Sequence, residues 1–194
     1  MGENGSGKST LVEAVAEAFG LNVEGGTPYG RHRTRASESP LGGWLHLVRG
    51  AGAPRWGFFL RAESMHSYYT YVEREAARPD SPVYHEMSHG ESFLEVIDQH
   101  LEHPGLYCLD EPEAALSFTS TLTLLGRLDA LTRAGAQVLC ATHSPVLCSL
   151  PGARILEVGD WGLRESAWED LLLVEHHRSF LAAPDRYLRH VLGD

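Results

Sequence analysis

The chain has 194 residues, 43% of them hydrophobic, and a formal net charge of −10. This length and apolar content suffice for one sizeable domain with a buried core. The acidic balance disfavours a broad basic surface, so nucleic acid and anionic membranes are not expected as partners. A basic run at residues 31–35 is short and is interpreted as a solvated loop.

The three cysteines, Cys108, Cys140 and Cys148, form no C-x-x-C pair, and two of them lie in apolar, strand-like runs. An odd count without a disulfide framework is typical of a reducing cytoplasm. No apolar stretch reaches the ~18 residues that a membrane span needs, and the N-terminus lacks an apolar signal-peptide core. We therefore expect a cytoplasmic protein without a membrane partner.

The hydrophobic pattern, taken in chain order, predicts helices that alternate with strands. An Ala-rich run predicts a helix at 11–19 that ends at Gly20, and the Gly-, Pro-, Ser- and Arg-rich residues 22–55 predict loops with at most a short helix near 44–48. The later elements are a strand at 56–60, helices at 64–77 and 92–101, a strand at 106–109, a helix at 118–133, strands at 137–141 and 155–158, and one or two amphipathic helices at 167–192. This alternation predicts an α/β fold with a mostly parallel sheet and helices on both faces.

Residues 2–9 read G-E-N-G-S-G-K-S, a complete G-x-x-x-x-G-K-[ST] loop that leads directly into the first predicted helix. In such a loop backbone N–H groups converge on phosphate oxygens, Lys8 reaches the β and γ phosphates of ATP, and the Ser9 hydroxyl binds Mg²⁺. Lys8 is therefore also a candidate catalytic residue. The expected nucleotide-binding residues of the loop are Gly2, Asn4, Gly5, Ser6, Gly7, Lys8, Ser9 and Thr10.

An acidic pair, Asp110 and Glu111, follows the predicted strand at 106–109. A strand of this kind delivers both carboxylates to the carboxyl edge of the sheet, where the phosphates would lie. We expect Asp110 to bind Mg²⁺ and Glu111 to act as the general base for the attacking water. An acidic pair before a proline is, by itself, more often a helix cap or a turn. The phosphate-binding loop favours the catalytic interpretation.

His143 lies in the segment A-T-H-S-P, directly after the predicted strand at 137–141. A histidine at this edge can hydrogen-bond the γ-phosphate and the attacking water, which makes it a candidate catalytic residue. A single histidine after a strand is otherwise a structural hydrogen-bonding residue, so this interpretation depends on the other two motifs.

These motifs, together with S-H-G-E-S at 88–92 and A-A-L-S at 114–117, resemble the ABC-type ATPases. They are most similar to the small stand-alone bacterial ATPases classed as AAA-family or ABC-like. The resemblance spans residues 2 to about 150 and extends to the tail through P-D-R-Y-L at 184–188. It implies a P-loop NTPase fold of the ABC type in a single domain over 1–194, with a helical signature lobe at roughly 64–104. It also implies Mg²⁺-dependent ATP hydrolysis by a homodimer in which two subunits sandwich two ATP molecules.

The resemblance also assigns roles outside the loop. In this family an S-G-G-Q-like signature opens a helix and caps the γ-phosphate bound to the other subunit. Ser88 and Gly90 match the serine and the second glycine of that signature, whereas His89 and Glu91 replace the first glycine and the glutamine. Glu63 stands where the family usually carries a metal-binding glutamine, so the resemblance implies that Glu63 contacts Mg²⁺.

The start of the sequence carries a further expectation. A P-loop normally follows a central strand, and only Met1 precedes Gly2. We therefore expect an N-terminally truncated form that lacks a strand usually placed beside the one bearing the acidic pair. The structure should then show an unpaired edge or a gap beside residues 106–109.

Three alternatives remain: a slow ATP-gated switch, a DNA-linked ATPase of the SMC or repair type, and a zinc hydrolase built on H-E-M-S-H at 85–89. The acidic pair favours turnover over a pure switch, and the acidic charge and lack of long heptads disfavour the SMC type. Pro79, Pro82 and Gly90 disfavour the helix that a zinc-protease motif needs. The N-terminus also fits a myristoylation pattern, but the same glycines are needed to bind phosphate. A protein partner of unidentified kind stays open.

Overall fold

The computed structural model describes residues 1–3, 5–22, 25–27, 39–75 and 87–193. Asn4, the basic run at 31–35, and His85 and Glu86 of the H-E-M-S-H segment lie outside these residues. The expectations placed on them therefore stay predictions.

Helices alternate with strands along the chain, as the hydrophobic pattern predicts. The helices are α1 (Lys8–Phe19), α2 (Leu41–Trp44), α3 (Met65–Glu75), α4 (His89–His100), α5 (Phe118–Arg133), α6 (Pro145–Cys148), α7 (Leu172–Ala182) and α8 (Pro184–Leu192). The strands are β1 (Gly57–Arg61), β2 (Leu106–Asp110), β3 (Gln137–Ala141), β4 (Ile155–Gly159) and β5 (Gly162–Ser166). The short helix expected near 44–48 lies slightly earlier in the chain, as α2. Strand β5 was not predicted from the sequence. No helix of the described residues is long and apolar enough to cross a membrane.

The first three strands form a parallel sheet in the order β1-β2-β3. Their register aligns Arg61 with Asp110 and Asp110 with Ala141, so the carboxyl ends of the three strands meet at one edge. The remaining strands, β4 and β5, form an antiparallel hairpin. This arrangement confirms the predicted α/β fold with a parallel sheet flanked by helices, and it is consistent with a P-loop NTPase.

Successive side chains of a strand point to opposite faces of the sheet, and helices cover both faces here, so both sets of side chains are buried. Phe58 and Leu109 pack with α3, α4 and α5 in one hydrophobic cluster. Phe59 and Cys108 pack on the other face against α1, where Ala16 is fully buried. The small Ala16 side chain lets α1 approach β2 closely, so the helix that follows the glycine-rich loop is fixed directly on the central strand.

The prediction of an unpaired edge or a gap beside residues 106–109 is wrong. Strand β2 is paired along its length with β1 on one side and with β3 on the other. The position assigned to an upstream strand is filled by β3, because consecutive strands of the chain pair as neighbours here.

Strand β3 is one edge of the sheet and pairs only with β2 among the described strands, whereas β1 at the other edge is bridged at Phe59 by Gly26. A groove of about 400 Å³ separates β3 from β4 and is lined by both strands, by α1 and by residues 150–154. We call it the β3–β4 groove. The Met1 ammonium donates to the Leu156 carbonyl oxygen (2.7 Å), and the Val158 N–H donates to the Met1 carbonyl oxygen (2.7 Å). Met1 and Gly2 therefore continue the pairing of β4 at one end of this groove.

Candidate functional site

The glycine-rich loop connects this pairing to α1. Gly2 pairs with Val158, and a Cβ atom at this position would clash with the Val158 carbonyl oxygen. Gly7, at the N-cap of α1, has φ 92°, a left-handed conformation that glycine adopts without a steric penalty. The loop therefore ends directly on a helix N-terminus, where backbone N–H groups and the helix dipole favour an anion.

Lys8, the first residue of α1, is only 5% exposed. Its Nζ donates to the Glu3 carbonyl oxygen (2.8 Å), which folds the side chain back over the loop. Burial lowers the pKa of the Lys8 ammonium, while the carboxylates of Glu111, Asp110 and Glu113 oppose this shift. A buried cation at the centre of an anion-binding loop is suited to a phosphate group.

Asp110 ends β2 and is 5% exposed. The Ser9 hydroxyl lies beside the Asp110 carboxylate, whose Oδ1 atom is buried without a hydrogen-bond partner among the described residues. Burial raises the pKa of the Asp110 carboxyl, although the nearby Ser9 hydroxyl and the charge of Arg61 act in the opposite direction. A hydroxyl beside an unsatisfied carboxylate oxygen is an oxygen donor set of the kind that Mg²⁺ prefers.

A cavity of about 200 Å³ opens at this edge of the sheet. It brings together the three expected metal-binding residues and several neighbours from β1 and from the 3₁₀ turn Pro112–Ala115. The lining residues are Ser9, Arg61, Ala62, Glu63, Asp110, Glu111, Ala114 and Ala115.

Arg61, which sequence reasoning missed as a site residue, joins the acidic groups of this cavity. It forms ion pairs with Glu13 (3.2 Å), Glu63 (3.4 Å) and Asp110 (3.7 Å). The Glu63 carboxylate is 83% exposed and points to Arg61, whereas Asp110 is buried beside Ser9. The geometry therefore favours Asp110 over Glu63 as a protein ligand for Mg²⁺. The signal for Arg61 was its place at the carboxyl end of β1.

Glu111 and His143 lie side by side, as their positions after β2 and β3 suggest. The Glu111 Oε1 atom is 3.3 Å from the His143 Nε2 atom. Glu111 has φ 49° and is the one residue other than glycine with positive φ among the described residues. Its N–H donates to the Ala141 carbonyl oxygen (2.9 Å), which ties the end of β2 to that of β3. This local turn directs the carboxylate toward the imidazole.

Glu113, two residues further on, was not among the expected site residues. Its Oε1 atom accepts hydrogen bonds from the Thr142 hydroxyl (2.6 Å) and from the His143 N–H (2.5 Å). The sequence signal was a second glutamate in D-E-P-E, and its partners on the neighbouring loop could not be read from the sequence.

The signature segment does not line this cavity, but Gly90 packs against the Ala115 backbone, which does. Ser88 is the N-cap of α4 and forms a capping box with Glu91, whose carboxylate accepts from the Ser88 hydroxyl (2.6 Å) and N–H (3.0 Å). Neither Ser88 nor Gly90 lines the cavity of Asp110. Thr10, in the first turn of α1, is exposed. No group of three or more His, Cys, Asp or Glu side chains among the described residues could hold a metal ion by itself.

Comparison with known protein families gives a match over part of the chain. Residues 77–149 match the family model described as "AAA domain, putative AbiEii toxin, Type IV TA system". No curated protein and no solved structure gave a significant match. The matched segment is less than half of the chain, but it contains β2 and β3 with Asp110, Glu111 and His143. It supports an AAA-family P-loop ATPase and nucleotide binding, and it does not specify the ABC type.

Proposed function

We propose that this protein is a Mg²⁺-dependent ATPase that binds the phosphates of ATP at residues 2–9 and hydrolyses the γ-phosphate. The observation that carries the proposal is the meeting of buried Lys8, the Ser9–Asp110 pair and the Glu111–His143 pair at one edge of the sheet. A phosphate-binding cation, an oxygen donor set and a paired carboxylate are the three parts that phosphoryl transfer to water requires.

The phosphates are bound by the loop and by Lys8. The Lys8 ammonium exchanges the Glu3 carbonyl oxygen for oxygens of the β and γ phosphates, which are stronger acceptors because they are charged. Ser9 and Asp110 would hold Mg²⁺, with Glu63 as a further candidate that must first leave Arg61. When bound, Mg²⁺ neutralises negative charge on the phosphates.

Glu111 is the proposed general base. Its carboxylate accepts a proton from the water whose oxygen attacks the γ-phosphorus, and ADP leaves with the electrons of the broken P–O bond. The His143 Nε2 atom lies 3.3 Å from Glu111 Oε1 and makes no hydrogen bond among the described residues, so it is available to hydrogen-bond the γ-phosphate beside the Glu111 carboxylate. Since Glu111 is 40% exposed in its side chain, water can reach it directly.

The active form that we propose is a homodimer of the ABC type with two ATP molecules at its interface. Ser88 and Gly90 lie at the N-terminus of α4, where Ser88 is exposed and neither residue lines its own Asp110 cavity, which supports a contact with the nucleotide of a second copy. A slow, ATP-gated switch is the same site with weak turnover, and the rate of hydrolysis separates the two.

Lys8 offers a direct test because it is the only lysine in the sequence. An amine-reactive acylating reagent can label only Lys8 and the N-terminal amine, so mass spectrometry reads the two sites separately. We expect Mg-ATP to protect Lys8 and leave the N-terminal amine equally reactive. Equal labelling of Lys8 with and without Mg-ATP at millimolar concentration would contradict the assignment of the loop.

Two variants separate binding from chemistry. Lys8→Ala should weaken the binding of a fluorescent ATP analogue by about 10–100-fold, because it removes charge-assisted hydrogen bonds worth about 1.5–3 kcal/mol. Glu111→Gln should lower turnover by about 10²-fold and leave ATP binding intact. Glu165→Gln, on exposed β5, is the matched control and should change neither quantity. Normal turnover in Glu111→Gln would assign the base to another residue.

A further inference from the structure

We infer that Glu113 is a positioning residue, which sets the rate of hydrolysis by holding His143 against Glu111 without touching the nucleotide. The inference rests on the proposed ATPase function. Glu113 belongs neither to the phosphate-binding loop nor to the acidic pair, and it does not line the cavity of Asp110.

Two donors of the segment after β3 converge on one oxygen atom of Glu113. The Thr142 hydroxyl (2.6 Å) and the His143 backbone N–H (2.5 Å) both donate to Glu113 Oε1. Both hydrogen bonds are charge-assisted and short, so they define the path of the chain just after β3. The Thr142 hydroxyl in turn accepts from the Ser144 N–H (2.9 Å), which extends the clamp over three consecutive residues.

The position of Glu113 in the chain links it to Glu111. It lies in the 3₁₀ turn Pro112–Ala115, which follows Glu111 directly. The Ala114 N–H donates to the Glu111 carbonyl oxygen (3.0 Å), so this turn also fixes the backbone of Glu111. One side chain therefore connects the segment that carries the proposed base to the segment that carries its histidine.

The role of Glu113 requires a hydrogen-bond acceptor at the position of Oε1. Only Oε1 of Glu113 is engaged, and Oε2 is buried without a partner among the described residues. A glutamine could keep both hydrogen bonds through its own carbonyl oxygen, since the positioning needs an acceptor rather than a full negative charge. An alanine would leave two buried donors without an acceptor and release the loop.

These steps give a kinetic test with Glu113→Ala, Glu113→Gln and His143→Ala. Glu113→Ala should lower kcat by about 10-fold or more. The ATP dissociation constant should stay within about twofold of that of the parent, because no phosphate contact is removed. Glu113→Gln should keep kcat within about threefold. The loss caused by Glu113→Ala should disappear in the His143→Ala background, because two residues that act through one contact are not additive.

A second measurement does not depend on turnover. The imidazole proton signals of His143 in NMR spectra, assigned with His143→Gln, should shift when Glu111→Gln is introduced into the parent. The same substitution should leave them unchanged in Glu113→Ala, where the two side chains are no longer held together. If the parent fails to hydrolyse ATP, the proposed function fails while this comparison still decides the role of Glu113. Equal kcat losses from Glu113→Ala with and without His143, or equal NMR shifts in both backgrounds, would overturn the inference.

Discussion

Glu111 combines an unfavourable backbone conformation with a proposed chemical role. Its φ of 49° and ψ of 49° are left-handed, which costs a residue with a Cβ atom roughly 1–2 kcal/mol. The surrounding hydrogen bonds, from the Glu111 N–H to Ala141 and from Ala114 to the Glu111 carbonyl oxygen, maintain this conformation. Strain that the neighbours enforce is common where a side chain must be directed at a reacting group. The strained turn and the proposed base are thus the same residue.

Single residues differ in how well the sequence could locate them. Ser9 and Asp110 could be expected to lie together because each belongs to a contiguous motif and parallel strands end at a common edge. The ion pairs of Arg61 could not be expected from the sequence, because its three acidic partners come from α1, from β2 and from the segment after β1. Contacts between distant segments depend on side-chain direction, which a pattern in one segment does not contain.

His100 gives a prediction on stability at the scale of one side chain. It ends α4 and packs against the Phe58 ring at a centroid distance of 4.4 Å. Its Nδ1 hydrogen-bonds the Val96 carbonyl oxygen (2.9 Å), and its Nε2 hydrogen-bonds the Tyr68 hydroxyl (2.9 Å). Burial lowers the pKa of His100, although the hydrogen bond to Val96 and the charge of Glu102 oppose the shift. The neutral ring is therefore the form that the fold stabilises.

The free energy of unfolding should consequently depend on pH through His100. Because the folded pKa is below the unfolded value of about 6.5, the stabilisation is complete above about pH 6.5 and is lost as pH falls below it. Urea unfolding at pH 7.5 and 5.5 should show a loss in the parent that exceeds that of His100→Gln by at most about 1.4 kcal/mol. Identical losses in both proteins would contradict this account of His100.

The hydrophobic pattern was sufficient to predict the helices and strands that are long and apolar. Helix α5 and strand β3 lie where the hydrophobic pattern places them. Strand β5 was missed because four of its five residues are exposed, so it carries no alternation of buried and exposed positions. It is held by pairing with β4 across a tight turn in which Gly162 has φ 85°. Pairing with a neighbour, rather than burial, makes it a strand.

Ser88 at the N-terminus of α4 has two roles, because it caps the helix and belongs to the proposed dimer interface. Ser88 caps the helix, so replacing it with a residue that cannot cap would lower stability by about 1 kcal/mol and confuse any test of dimerisation. Aspartate is as good an N-cap as serine, but it would place a negative charge against the γ-phosphate of the partner.

Ser88→Asp should lower the melting temperature by no more than a few degrees, because its carboxylate still caps the helix although it repels Glu91, and it should abolish the dimer that Mg-ATP induces in the Glu111→Gln background. Ser88→Thr, which keeps both the cap and the hydroxyl, is the matched control and should still dimerise. Light scattering with and without Mg-ATP measures the oligomeric state. A Ser88→Asp protein that dimerises as well as Ser88→Thr would remove the signature segment from the interface.

At the scale of the whole molecule, the two β-structures are separated by the β3–β4 groove. Val138, Leu139 and Cys140 of β3 are apolar but only half-buried, unlike the fully buried residues 107–109 of β2. The free edge of β3 also leaves backbone groups without a neighbouring strand among the described residues. The sequence could not place this opening, because the order of strands in a sheet is a property of the fold. The groove therefore carries apolar surface that no described segment covers.

An extended apolar segment fused ahead of Met1 should fill the groove, because Met1 already pairs with β4 at its entrance. Five apolar residues in strand conformation would each gain about 1.5–3 kcal/mol from burial and lose about 1–2 kcal/mol of backbone entropy. The midpoints of these ranges give a net gain of about 4 kcal/mol, which should raise the melting temperature by roughly 8–16 °C for a chain of this size. A Gly/Ser segment of equal length, and the apolar segment with a central proline, are the controls and should produce little change. If all three fusions melt at the same temperature as the parent, the groove does not accept a strand.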